Sequence, residues 1–104
     1  MRSVYAYCFD PERPGSDLRG RMFAIPQMGM YEDPATGSAV TGLAAYLAQK
    51  SDQSDGTLRW VMEQGFEMGR PSILEMEADL NAGVCYAIRV GGSSVMVSKG
   101  VIYL

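Results

Sequence analysis

A chain of 104 residues, 47% apolar and 20% charged, carries enough apolar side chains for one hydrophobic core and is excluded from the disordered class, although at this length only about two-thirds of the unfolded surface is buried. A formal charge of −3 and nine basic residues scattered along the chain exclude nucleic-acid binding of the kind that neutralises phosphates with clustered Lys and Arg. No histidine is present, so proton transfer near neutral pH must rest on carboxylates or on another chain.

Residues 3–9 set Val4 and Ala6 against Tyr5 and Tyr7 and stop at Asp10-Pro11, the pattern of a strand. A polar loop over 10–20 leads to a second strand over 20–24, and 25–35 is a Pro- and Gly-punctuated loop that delivers Asp33 to a helix start. The helix is expected over 36–49. Ala39, Val40, Leu43, Ala44, Leu47 and Ala48 form its apolar stripe, and Gly42, Ala45 and Tyr46 leave so little polar surface that it should be buried all round. A Ser- and Asp-rich turn over 51–56 precedes four strand-like stretches, 57–64, 72–79, 83–90 and 93–104, the last divided by Lys99-Gly100. The pattern is an α+β fold: one central apolar helix wrapped by six or seven mostly antiparallel strands, forming a single domain over 1–104.

The chemistry concentrates in Glu32-Asp33-Pro34-Ala35-Thr36-Gly37-Ser38-Ala39, an acid-rich tight turn directly before the helix. The first amides of a helix lack an internal acceptor and the macrodipole favours negative charge, so a carboxylate or phosphate can dock on the amides of Thr36, Gly37, Ser38 and Ala39. Gly37 lets a ligand approach the backbone, Thr36 and Ser38 add hydroxyls, and Asp33 supplies a carboxylate one turn away. The same residues also read as an ordinary helix start, with Pro34 early, Thr36 or Ser38 as cap and the acids complementing the dipole. Arg70 either reaches a carboxylate with its guanidinium fork or tethers a loop at a strand start.

The run RMFAIPQMGMYEDPATGSA over 21–39 resembles the signature of the PhzF-like phenazine biosynthesis family, whose fold is shared with diaminopimelate epimerase. Glu63-Gln64-Gly65-Phe66-Glu67-Met68-Gly69-Arg70-Pro71-Ser72 resembles that family's EQG-x-x-MGRPS stretch, and 90–101 resembles its terminal strand pair. The resemblance covers nearly all of this chain but only the second of two similar lobes that flank a cleft. It implies a cofactor-free isomerase moving protons on a small carboxylate-bearing molecule, with Asp33 orienting or transferring a proton and the helix start holding the carboxylate. It also implies that the general base, a glutamate near a histidine, belongs to the absent first lobe. A homodimer or a separately encoded N-terminal lobe would have to complete the site, a homodimer offering only Asp33, Glu32 and Glu67 as bases. The epimerase relatives place a catalytic cysteine where this chain has Thr36, which disfavours a two-thiol racemase. The alternative is a non-catalytic domain that retains the anion pocket.

Cys8 and Cys85 lie in separate strand-like segments and read as buried free thiols rather than a disulfide, in no metal-ligand spacing. No cofactor or metal is expected. Met22, Met62, Met76 and Met96 read as core filling, while Met28 and Met30, with Tyr31, form either an apolar wall against a ligand or simple packing. No apolar run is long enough to span a bilayer and the start lacks a signal-peptide pattern, so a cytoplasmic location without membrane contact is expected.

Overall fold

Alternation of inward apolar and outward polar side chains builds the sheet. The computed structural model describes residues 3–24, 29 and 31–104. Its elements are β1 (Val4–Cys8), β2 (Leu18–Phe23), β3 (Glu32–Asp33), α1 (Gly37–Lys50), β4 (Gly56–Gln64), β5 (Ser72–Asn81) and β6 (Val84–Gly91), with a 3-10 turn at Phe66–Met68 after β4. The α+β class holds: among the described residues one helix packs on a mixed sheet of six strands ordered β1-β2-β4-β5-β6, with β3 also paired to β2. Among the described strands only the β2–β4 pairing is parallel. In β5, Leu74, Met76, Ala78 and Leu80 are buried and alternate with Glu75, Glu77 and Asp79, so one face meets the helix and the other meets water. On that outer face Arg89, between Glu77 and Asp79, holds the Asp79 carboxyl down to about 2, with the Thr57 hydroxyl as the second cause.

The arrangement of β2 positions the site. β1 occupies one edge of β2 along residues 19–23, so β3 and β4 must share the other: β4 pairs with Leu18, Arg19 and Gly20, and β3 with Met22 and Phe23. The end of β4 therefore abuts β3 and the turn that follows it. Leu18, which the sequence reading left in the preceding loop, is fully buried at the start of this strand.

The helical stripe packs as expected, Val40, Leu43, Ala44 and Leu47 against Leu18, Met62, Leu74 and Met76, and Ala48 against Ala78 and Leu80. The expectation of burial all round is corrected. Gly37, Ser38, Thr41, Gly42, Tyr46, Gln49 and Lys50 are exposed, because the described strands cover one flank of α1 and leave the other open. The expected strand over 93–104 is also absent: this segment pairs with no described strand, and Met96 is exposed rather than part of the core. Met62 and Met76 do fill the core, whereas Met22 is half-buried. Cys8 is exposed and Cys85 half-buried, and both are free thiols. Met28 and Met30 lie outside the described residues, and Tyr31 is exposed. Among the described residues no helix is long and apolar enough to cross a membrane.

Leu43 faces the sheet from the middle of the stripe and is 8% exposed. Leu43→Ala should cost about 2 to 5 kcal/mol in denaturant unfolding, and a loss below about 1 kcal/mol would contradict this packing.

Candidate functional site

The helix start is held by Gln64, the last residue of β4. Its side chain is fully buried and every polar atom is used. Oε1 accepts from the Tyr5 hydroxyl at 2.9 Å and from the Thr36 amide at 3.2 Å, while Nε2 donates to the Asp33 carbonyl at 2.8 Å and to Thr36 Oγ1 at 2.9 Å. The partners fix the amide's orientation, since a backbone N–H only donates and a carbonyl only accepts. Thr36 Oγ1, having accepted from Gln64, sends its own proton to Asp33 Oδ2 at 2.5 Å. Backbone and side chain of the Asp33–Thr36 turn are thus clamped to the end of the sheet.

The flanking residues serve the same clamp. Glu63, also fully buried, accepts from the amides of Glu12 and Arg13 at 2.7 and 2.8 Å and so pins the 10–17 loop. Burial pushes its carboxyl up, but those amides and the Ser16 hydroxyl outweigh it and hold the group below the usual carboxylate range. Gly65 then turns the chain at φ +83°, where a Cβ would collide with the Arg70 carbonyl and lie 2.8 Å from that of Pro34. Gly20 makes room for Tyr5, since a Cβ there would sit 2.5 Å from the phenol oxygen, and burial pushes the Tyr5 phenol above its ordinary range.

The clamped turn forms one rim of an open cavity of about 630 Å³ between the start of α1 and the adjoining ends of β5 and β6. Ala35 and Gly37 line it on the helix side, Pro71 to Glu75 on the β5 side, and Val90 to Ser93 on the β6 side. Gly37 has neither a left-handed backbone nor any atom within 4 Å of a Cβ position, so neither conformation nor crowding requires glycine, and its outward side is free for close approach. The amides of Gly37, Ser38 and Ala39 open the first turn and have no acceptor within the helix, and no acidic side chain occupies that turn. This arrangement can accept a carboxylate or another small oxyanion.

The expected site residues are only partly gathered here. Gly37 lines the cavity, Ser38 and Ala39 follow it in the first turn, and Asp33 and Thr36 stand behind the rim as its support. The Thr36 amide, expected to be open to an anion, is already donated to Gln64. Thr36 holds the N-cap position without capping through its side chain, because its hydroxyl is spent on Asp33. The Arg70 side chain is exposed and makes no hydrogen bond or ion pair among the described residues, and its amide donates to the Gly65 carbonyl, so the observed tether is a backbone one. Glu32 forms a two-point pair with Arg21, and Glu67 sits beside Arg19 in a separate cavity with Cys8, so neither reaches this site. Sequence reasoning missed Gln64, Ser72 and Glu75. Gln64 and Ser72 lay inside the EQG and GRPS blocks it had already singled out, while Glu75 carried no signal beyond strand alternation.

The family model described as phenazine biosynthesis-like protein matches residues 2–100. An uncharacterized isomerase of Mesorhizobium japonicum is 36% identical over 102 residues, covering 98% of this chain and 33% of the relative. The trans-2,3-dihydro-3-hydroxyanthranilate isomerase of Pseudomonas chlororaphis is 38% identical over 90 residues, covering 86% and 32%. The crystal structure of the Bacillus anthracis phenazine biosynthesis protein of the PhzF family superposes with a TM-score of 0.68 at 26% identity, over 74% of this chain and 26% of that one. The chain spans about a third of the length of the curated relatives it matches.

Gln64→Leu preserves volume but strands the Thr36 amide and the Asp33 carbonyl and leaves the Tyr5 hydroxyl only the Met62 sulfur as acceptor. It should cost about 2 kcal/mol or more and accelerate hydrogen exchange at the Thr36 amide, and a loss below about 1 kcal/mol with unchanged exchange would refute the clamp.

Proposed function

The chain belongs to the phenazine biosynthesis-like protein family, and on that premise we propose that it forms one lobe of a cofactor-free isomerase acting on a small carboxylate-bearing substrate. A second lobe or a second copy of the chain completes the site. The observation that carries this reading is the open start of α1, with the free amides of Gly37, Ser38 and Ala39 at the rim of the 630 Å³ cavity and the turn behind them locked by Gln64. The substrate carboxylate docks on those amides. Asp33 directs Oδ2 to Thr36 and keeps Oδ1 to orient or receive a proton, while Arg70, exposed beside the Pro71 wall, reaches inward when substrate is bound. The Pseudomonas chlororaphis relative is named for a cyclic amino carboxylate, and a molecule of that class suits a cavity of this size. The free thiols and the absence of a spanning helix among the described residues fit a cytoplasmic setting.

A second reading, a non-catalytic domain that binds small anions, is favoured by two observations: the chain has no histidine, and Asp33 already spends one oxygen on Thr36. Deuterium uptake separates the two. With trans-2,3-dihydro-3-hydroxyanthranilate in D2O, the chain alone should bind without exchange, and exchange should begin when the part of a full-length relative left out of the match is added. Asp33→Asn should then abolish exchange while weakening binding by no more than about threefold. Equal loss of both would remove Asp33 from proton transfer, and binding that never leads to exchange would favour the anion-binding domain.

A further inference from the structure

We propose that Ser72 is a specificity-determining residue of the cavity: its hydroxyl binds a second hydrogen-bonding substituent on the carboxylate ligand held at the start of α1. This inference rests on the reading of the α1 start as a carboxylate site, and it narrows the ligand to a ring acid that also bears a hydroxyl or amino group. Alternation along β5 selects the residue. Leu74, Met76, Ala78 and Leu80 are buried on the face that meets the helix, so Ser72, two residues before Leu74, falls on that face at the end of the row. Glu75 belongs to the opposite face, where it lines a separate cavity with Glu77 and Arg89. Of the polar side chains on the β5 wall, Ser72 is therefore the one on the helix side.

The neighbour that could bind this hydroxyl is committed elsewhere. Ser72 pairs with Gln64 across the β4–β5 ladder, and directly opposed residues put their side chains on the same face, about 5 Å apart at Cβ. Both polar atoms of Gln64 are taken by Tyr5, Asp33 and Thr36. The Ser72 side chain, half-buried on the cavity wall, makes no hydrogen bond among the described residues and keeps its donor and both acceptor positions for a ligand. Its place is fixed all the same. The ladder holds it opposite Gln64, Pro71 restricts the backbone before it, and the Arg70 amide closes the preceding turn on the Gly65 carbonyl at 2.9 Å.

The rest of that wall is apolar or bare. Leu74 and Val90 present hydrocarbon, and Gly91 and Gly92 present no side chain, so a flat ring can lie against the end of the sheet with its carboxylate at Gly37. With the carboxylate on the amides of Gly37, Ser38 and Ala39, a plain ring covers the Ser72 hydroxyl and leaves it unpaired. A ring hydroxyl or amine pairs with it instead, and a site built to hydrogen-bond such a group discriminates against the analogue that lacks it.

Titration of the full chain and of its Ser72→Ala variant with benzoate, 3-hydroxybenzoate and 4-hydroxybenzoate, followed at the Gly37, Ser38 and Ala39 amides, tests the proposal. The Ser72 hydroxyl holds nothing in the described fold, so the variant should keep the wild-type circular dichroism spectrum and bind benzoate within about twofold of the wild type. The expected result is that the wild type binds at least one hydroxybenzoate about fivefold or more tightly than benzoate, and that Ser72→Ala reduces this preference to within about twofold. A wild type without the preference, or a preference that survives in Ser72→Ala, would overturn the proposal and leave the carboxylate site standing. Equal weakening of all three acids by the substitution would overturn it too, since the hydroxyl would then serve the carboxylate or the fold. If benzoate itself gives no saturable shift at Gly37 to Ala39, the carboxylate site fails and the role of Ser72 falls with it.

Discussion

A single buried amide governs the geometry of this molecule's site. Gln64 sits at the end of β4 and reaches across a sequence separation of 28 to 31 residues to hold both ends of the Asp33–Thr36 turn, and across 59 residues to Tyr5. Burying a glutamine is costly unless its hydrogen bonds are made, and here they all are. The same bonds that stabilise the amide specify the turn, and the turn aims the start of α1. Without the clamp, a Pro-containing loop feeding an exposed helix end would have many available conformations and no reason to keep its first amides at the cavity rim.

The clamp depends in turn on the sheet. Because β3 and β4 divide one edge of β2 between them, the end of β4 and the beginning of the 33–36 turn are forced together. Gly20 lets Tyr5 lie across β2 to reach Gln64, and Gly65 lets the chain turn against Pro34 without collision. Glu63 spends its carboxylate on the 10–17 loop, which removes it from the chemistry although it neighbours the most important residue of the site. What remains at the rim is polar backbone, with side chains committed to support. That division of labour suits a site that binds and orients an anion and takes part of its proton chemistry from elsewhere.

Local periodicity made most of the fold legible. The stripe from Val40 to Ala48 and the alternation in β5 are patterns within one element, and both are realised in the packing. Long-range effects were not legible. Gln64 looked like the polar end of a strand, since nothing near it in sequence reveals that its partners are Tyr5, Asp33 and Thr36. Thr36 looked like a cap or an open amide, and both roles are displaced by bonds whose partners include a residue 28 positions away. The segment 93–104 has a strand's composition, but a strand exists only where an edge receives it, and no described edge in this chain does. The exposed flank of α1 has the same origin: a sequence apolar all round tolerates burial on every side without supplying the elements to cover it.

The central claim is that the Gln64 clamp presents the first amides of α1 as a carboxylate site. The most direct test is a titration of the 15N-labelled chain with benzoate, followed amide by amide in proton–nitrogen correlation spectra. The account predicts saturable shifts that are largest at Gly37, Ser38 and Ala39, smaller along the Ser72–Glu75 wall, and absent from the Thr36 amide beyond the effect of its neighbours. Shifts centred on Arg19 and Arg21, or no saturable shift at Gly37 to Ala39, would contradict it.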